Sequence, residues 1–328
     1  MSDKVMNKVL IIQTAFIGDV ILATPLIETI RTNYPNCRVD FMVKKGNDDL
    51  VINHPLITSV YIFDKHKKVS SLFENIRAIR KEKYDIVINL QRFASSGFIT
   101  AFSGGAKIVG FKKNPLSFLF DERFEHKIGN GQHEVDRNLS LLISFNKQLV
   151  RRPKLYPTKG EYAKIEHYSE SPFICLAPSS VWKTKQTPID KWLELIKGLG
   201  REIQIYLVGA ESDFALCEEI IQKSGRTGLL NLCGKLKLME TAALFSKAKH
   251  VYVNDSGPLH IASAMNTTVT AFFCSTTPEF GFGPLSDSSE IVEVKNLECR
   301  PCGLHGHNSC PKGHFDCGNL LDLSNVMI

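Results

Sequence analysis

Residues 251–273 read VYVNDSGPLHIASAMNTTVTAFF, and this stretch decides the fold. A short apolar run at 251–253 stops at Asn254-Asp255-Ser256-Gly257. Helical spacing then carries Leu259, Ile261, Ala262 and Met265, and a second strand-like run follows at Val269–Phe273. Strand, polar turn, helix and strand make the repeating unit of a parallel sheet. The turn sets an acid, a hydroxyl and a glycine at a helix N-terminus, where unpaired N–H groups and the helix dipole favour an anion. A phosphorylated ligand fits there. So does an ordinary helix cap, since Asp, Ser and Asn are common N-cap residues.

Working outward, the second half of the chain repeats the alternation. Strand-like runs lie at 173–177, 204–208 and 229–232, and helical patterns at 189–198, 213–224 and 239–248. The first half does the same, with strands at 9–12, 38–43, 60–63 and 86–90 and helices at 15–33 and 70–83. Near-continuous apolar strands separated by helices predict parallel sheets covered on both faces. Between the halves, residues 147–171 are rich in Lys, Arg, Pro, Tyr and Glu and weak in core pattern, which predicts a connection. Two doubly wound α/β domains follow, 1–155 and 170–328, facing a cleft with ligands at the C-terminal ends of the strands. The loop from Gln13 to Asp19 has one glycine where a dinucleotide fingerprint needs three, and no P-loop pattern occurs. A nicotinamide dehydrogenase and a P-loop kinase are both disfavoured.

Composition agrees with this outline. The 328 residues suit two domains of ordinary size. With 43% hydrophobic and 23% charged residues the chain is globular rather than disordered. No apolar run approaches the roughly 18–20 residues that span a bilayer. The basic start ahead of residues 9–12 leads into a strand rather than forming a signal peptide, because Gln13 and Asp19 interrupt the apolar run; a cytoplasmic protein is expected. The formal charge of +6 suits an anionic ligand or a membrane surface, and equally a solvated basic face. No arginine-rich tail, aromatic RNA-binding signature or helix-turn-helix pattern points to nucleic acid.

Three further turns carry chemistry. Asp19, after Gly18 at the end of the first strand, can serve as general base toward a hydroxyl, or simply stabilise a helix N-terminus. Ala177-Pro178-Ser179-Ser180-Val181-Trp182-Lys183-Thr184-Lys185-Gln186-Thr187-Pro188 lies between a strand and a helix. Its hydroxyls and lysines suit a diphosphate, with a solvated basic loop as the alternative. The turns at Gly209 and at 232–240, which includes Met239, stand at the same sheet edge. His260, one turn into the 257–265 helix, faces either the ligand or the core.

In combination and order, FIGDVILATPLI near the start, APSSVWKTKQTPIDKW in the middle and VNDSGPLHIASAMNTTVTAFF near the end resemble the ADP-heptose:lipopolysaccharide heptosyltransferases of glycosyltransferase family 9. The resemblance runs from about residue 8 to residue 317. It implies a GT-B architecture with the acceptor on the first domain and the nucleotide-sugar donor on the second. Asp19 matches the family's proposed base and Lys185 its phosphate-contacting lysine. Asp255 matches the acid near donor sugar and ribose, the Ser256 and Gly257 amides meet the diphosphate, and His260 matches the family histidine. Ser179, Ser180, Lys183, Gly209 and Met239 complete the expected donor set, and Arg92, Lys107, Lys112 and Lys113 in the first domain suit acceptor phosphates, with a solvated basic face as the alternative. The family usually carries an aromatic residue before the proline where this chain has Thr187. The implied reaction is an inverting transfer of heptose from ADP-heptose to a lipopolysaccharide core, with no cofactor and no metal. The acceptor would be a lipid-linked saccharide at the inner membrane, which the enzyme would contact peripherally, in outer-membrane biogenesis. Another nucleotide sugar, a protein acceptor, a sugar-nucleotide epimerase or a catalytically silent sugar-nucleotide binder are the alternatives.

Nine cysteines include four near the end, Cys299, Cys302, Cys310 and Cys317, close to His305, His307 and His314. Thiolates and imidazoles so near one another suit tetrahedral zinc, although the spacing matches no common zinc knuckle. Packed free thiols are the competing expectation, with disulfides disfavoured in the cytosol.

Overall fold

The structure, a computed structural model, describes residues 6–144 and 148–326. The first residue of the expected connection, Lys147, and the extreme ends of the two expected domains lie outside the described residues. The chain divides into two compact units. One runs to Ile128 and includes Glu134–Tyr156; the other comprises Gly129–His133 and the chain from Pro157 onward.

The first unit is built on β1 (Lys8–Ile12), β2 (Arg38–Lys44), β3 (Ser59–Phe63), β4 (Ile86–Asn89), β5 (Lys107–Phe111) and β6 (Glu122–Phe124). They pair in the order β3-β2-β1-β4-β5-β6, every neighbour parallel. The second unit carries β7 (Phe173–Ala177), β8 (Gln204–Leu207), β9 (Leu229–Asn231), β10 (Val251–Asn254), β11 (Val269–Phe273) and β12 (Ser289–Glu293). Their order, β12-β11-β10-β7-β8-β9, is again all parallel and is the same winding. Each sheet reverses direction beside its first strand, between β1 and β4 and between β7 and β10. Crevices outside the strand ends at such reversals are where open α/β sheets bind ligands.

Central strands read as apolar runs because helices cover both faces: all five residues of β7 and all five of β11 are buried. The strands missed in the sequence, β5, β6 and β12, stand at or next to a sheet edge. In β6 and β12 charges interrupt the pattern, as in the Glu-Arg-Phe of β6, while β5 is short and carries Gly110 in its run. The helix expected over 15–33 is two helices, Ile17–Ile21 and Thr24–Asn33. Pro25 lacks an N–H to continue the ladder, and the Thr24 hydroxyl donates instead to the Ile21 carbonyl at 2.8 Å. The stretch read as a connection contains the helix Lys159–Ile165, whose Thr158 and Glu161 cap each other reciprocally. Only Ile165 of that helix is buried, so no apolar stripe announces it. Among the described residues, no helix is long and apolar enough to cross a membrane.

Candidate active site

Each unit presents one group of interest at its reversal, and the two are described separately. In the first, β1 ends at Ile12 and the chain turns through Phe16 into a short helix. Asp19 accepts the Phe16 N–H at 3.1 Å, so the helix-stabilising role foreseen for it is present. Its surroundings do more than that. Burial, and then the negative charge of Glu134, push its carboxyl up to about 6 against the pull of the Phe16 N–H and Lys113. Burial lowers the Lys113 ammonium to about 8, while Glu134 and Asp19 draw it back up. Glu134 is itself buried, which favours its neutral form, yet it stays below its ordinary value because His126 and Arg137 hold its charge. Both Glu134 oxygens lie 3.0 Å from His126 Nε2, and Arg137 Nε donates to it at 2.7 Å. Lys44, at the end of β2, lies with its ammonium 4.9 Å from the Phe16 ring centroid and also feels Asp19.

A carboxyl near 6 is largely ionised at neutral pH and far more basic than a free aspartate, which suits a general base. It also carries a stability cost with a definite sign. The folded value lies above the unfolded 3.8, so the native state binds the extra proton. Stability from this group is fully present below about pH 4 and is lost as pH rises through about 6. Asp19→Asn is therefore expected to raise stability by about 1–2 kcal/mol above pH 7. The gain should vanish near pH 4. Denaturant unfolding of both proteins at the two pH values checks this, and a loss at pH 7 would contradict it.

Of the expected acceptor residues, Arg92 and Lys113 follow β4 and β5 at the same sheet edge as Asp19, their charges over the rings of Phe93 and Phe111 at 5.4 and 4.8 Å. Lys112 is exposed and paired with Glu125 at 2.7 Å. Lys107 opens β5 at the opposite edge and pairs with Glu122 at 2.5 Å, so it does not belong with the others.

In the second unit the sheet order sets β7 beside β10, and the loops leaving those two strands carry Lys185 and Asp255. Lys185 Nζ lies 2.6 Å from Asp255 Oδ2, with the two side chains only 15% and 8% exposed. The Thr276 hydroxyl donates to the same carboxylate at 2.6 Å. Asn254 ties the two loops together: its Oδ1 accepts the Thr187 N–H at 3.0 Å and the Thr187 hydroxyl at 2.7 Å, and its Nδ2 donates to the Pro178 carbonyl at 2.7 Å. Thr187, the departure from the aromatic-proline pattern, thus supplies a hydroxyl to this tie.

The helix Gly257–Met265 begins beside the pair. Ser256 occupies the N-cap position in extended conformation, but its side chain caps no helix N–H and instead donates to the Asn254 carbonyl at 3.3 Å. Pro258 has no N–H and the Leu259 N–H donates to the Ser256 carbonyl at 3.1 Å, so the Ser256 and Gly257 N–H groups are the ones placed to meet an anion. His260 is buried and its Nδ1 has no hydrogen-bond partner. Burial outweighs the attraction of Asp255 and holds its imidazole neutral, at about 4.

The remaining expected donor residues divide by exposure. Ser179 and Ser180 are half-buried and Lys183 exposed, on the loop whose Ser180 carbonyl takes the Gln186 amide at 2.7 Å. Gly209 is a packing requirement: a Cβ there would lie 2.7 Å from Asp213 Oδ2 and 3.1 Å from Cys233 Sγ, and its carbonyl is taken by the Gly234 N–H. Met239 is buried in the helix Leu238–Lys247 and presents no open surface. The zinc expectation is not supported. Among the described residues, no three Cys, His, Asp or Glu side chains gather as a metal site would need. Cys317 packs in the apolar core of the second unit with Cys217, Cys233 and Cys274, and the Cys302 thiol donates to the Cys299 carbonyl at 3.1 Å.

Two doubly wound parallel sheets, with a buried lysine–aspartate pair at the reversal of the second, match the GT-B class of glycosyltransferases. The structure of Escherichia coli ADP-heptose lps heptosyltransferase II superposes with a TM-score of 0.77 at 22% identity, covering 89% of this chain and 92% of that one. A glycosyl transferase family 9 structure from Veillonella parvula gives 0.81 at 18% identity, covering 88% and 86%. The model of glycosyltransferase family 9 (heptosyltransferase) matches residues 72–311, and the chain belongs to that family. Lipopolysaccharide heptosyltransferase 3 of Escherichia coli K12 is 26% identical over 290 residues, 80% of this chain and 81% of that protein. Lipooligosaccharide heptosyltransferase 2 of Haemophilus influenzae is 26% identical over 312 residues, 87% and 88%.

Proposed function

We propose that this glycosyltransferase moves a heptose from ADP-heptose to a sugar of a lipopolysaccharide core, with inversion and without a divalent metal. The observation that carries the donor half is the buried Lys185–Asp255 pair beside an uncapped helix N-terminus. A fixed cation and the backbone N–H groups of Ser256 and Gly257 stabilise a diphosphate as it leaves, where charge develops in the transition state. The names of the relatives supply the sugar and acceptor class.

In this reaction the Asp19 carboxylate takes the proton of the acceptor hydroxyl. The acceptor oxygen forms its bond to the anomeric carbon as the bond to the diphosphate breaks, and ADP leaves with the bonding pair. Lys185 and the amides at Ser256 and Gly257 meet the new negative charge. Arg92, Lys112 and Lys113 bind acidic groups of a lipid-linked saccharide, which would bring the protein to the cytoplasmic face of the inner membrane as a peripheral enzyme.

The test is a thermal-shift panel of nucleotide sugars followed by a transfer assay on heptose-deficient core glycolipid. ADP-heptose at about 100 times its Kd stabilises the native state by about 2.7 kcal/mol. ADP should raise the midpoint as well, and UDP-sugars should not. Stabilisation and transfer with a UDP-sugar alone would overturn the donor assignment.

A further inference from the structure

The Cys/His-rich tail takes no part in the chemistry above, yet it contacts the loop that carries Lys185 and the chain beyond β11, whose Thr276 donates to Asp255. Arg300, 7% exposed, spreads its guanidinium over the chain leaving β11. Its Nε donates to the carbonyls of Cys274 and Thr276 at 2.7 and 2.9 Å, and its Nη2 donates to Thr276 again at 2.6 Å. On the tail's own side, Nη1 reaches the Val294 carbonyl at 3.0 Å and Nη2 the Glu293 carboxylate at 2.5 Å. Two residues on, the Cys302 N–H donates to the Ser275 carbonyl at 2.9 Å.

The same tail then grips the other loop. His307 N–H donates to the Thr184 hydroxyl oxygen at 2.8 Å, and Thr184 N–H donates back to the His307 carbonyl at 3.0 Å. The Thr184 hydroxyl in turn donates to Ser275 Oγ at 3.0 Å, joining the loops directly. Gly306 makes the approach close: at φ +81°, a Cβ would lie 3.1 Å from Ser275 Oγ and Thr184 Oγ1 and 3.2 Å from Lys185 Cγ. Both grips end next to the pair. Thr276 donates to Asp255, and Lys185 directly follows Thr184.

We propose that residues 300–307 form a clasp that sets the geometry of Lys185 against Asp255, with Arg300 its principal positioning residue. Past the end of β11 the carbonyls of Cys274 and Thr276 need donors from outside the sheet, and a planar guanidinium serves several at once. A lysine ammonium cannot span them. The inference rests on the reading that the pair holds the donor diphosphate.

The test is steady-state kinetics of Arg300→Lys, Thr276→Val and the double variant, normalised to folded protein by ADP titration. Misplacing the reacting groups by about 1 Å costs on the order of a hundredfold, so each single variant should lose about 10- to 100-fold in kcat. Because Arg300 acts through Thr276 and Asp255, the double variant should fall little below the worse single. Additive losses, or normal kcat per folded molecule with only a lowered melting midpoint, would overturn the clasp. Should Arg300→Lys not fold, Gly306→Ala, which presses on Thr184 and Lys185, replaces it in the same cycle with Thr276→Val. Lys185→Met separates the two readings: normal kcat there sinks the donor assignment itself. An inactive Lys185→Met beside fully active Arg300→Lys and Thr276→Val sinks only the clasp.

Discussion

Asp19→Ala is expected to lower kcat by about 100- to 10,000-fold, the range of a positioned general base, while leaving donor affinity within about twofold. The contrast follows from the structure. Asp19 belongs to the first unit, and the groups assigned to the diphosphate all belong to the second. Single-turnover transfer and calorimetric ADP binding measure the two effects independently. The pH profile supplies a further check. With its carboxyl at about 6, the base should be lost to protonation as pH falls through that value. The wild-type rate should therefore fall tenfold per pH unit below about 6, and the residual rate of Asp19→Ala should not. Turnover within tenfold of wild type would remove Asp19 from the mechanism.

Lys185→Met is the second large effect, and it acts on rate and stability together. Removing a fixed cation from the leaving group costs about 100- to 1,000-fold in kcat. Asp255 would be left buried with only the Thr276 hydroxyl, and breaking a buried pair from one side costs about 3–5 kcal/mol. Lys185→Arg restores a positive charge and should recover most of the stability. It should recover less of the rate, because a guanidinium places its charge differently from an ammonium. A Lys185→Met protein that melts early but turns over normally would make the pair purely structural.

The turns that matter were legible because they obey a topological rule. Asp19, Lys185 and Asp255 all stand just beyond strands whose apolar runs are plain in the sequence. The strands themselves were visible where both faces are buried, as in Phe173–Ala177, and partly missed toward the edges, as in Ser289–Glu293, where burial is partial and charges interrupt the run. Gly209 and Met239 had the right location but another use, since crowding by Asp213 and burial in the core account for them. Glu134, Thr276 and Arg300 carried no local signal. Each matters through a partner far away in the chain, and no periodicity records such a partner.

The chain by itself determined the alternation of strand and helix, the two-fold repetition of that pattern, and the polar turns where chemistry would sit. These follow from local rules: apolar spacing, breaker residues, and the preferences of helix ends. Tertiary structure decided what each polar group faces. Only the order β10-β7 brings Lys185 onto Asp255. Only the fold of the tail delivers Arg300 to the carbonyls beyond β11, and only the turn after β10 leads the Ser256 hydroxyl to the Asn254 carbonyl so that it caps nothing. Burial then sets the charge states, lifting Asp19 and holding His260 neutral, because desolvation depends on every element packed around a group and not on its neighbours in sequence.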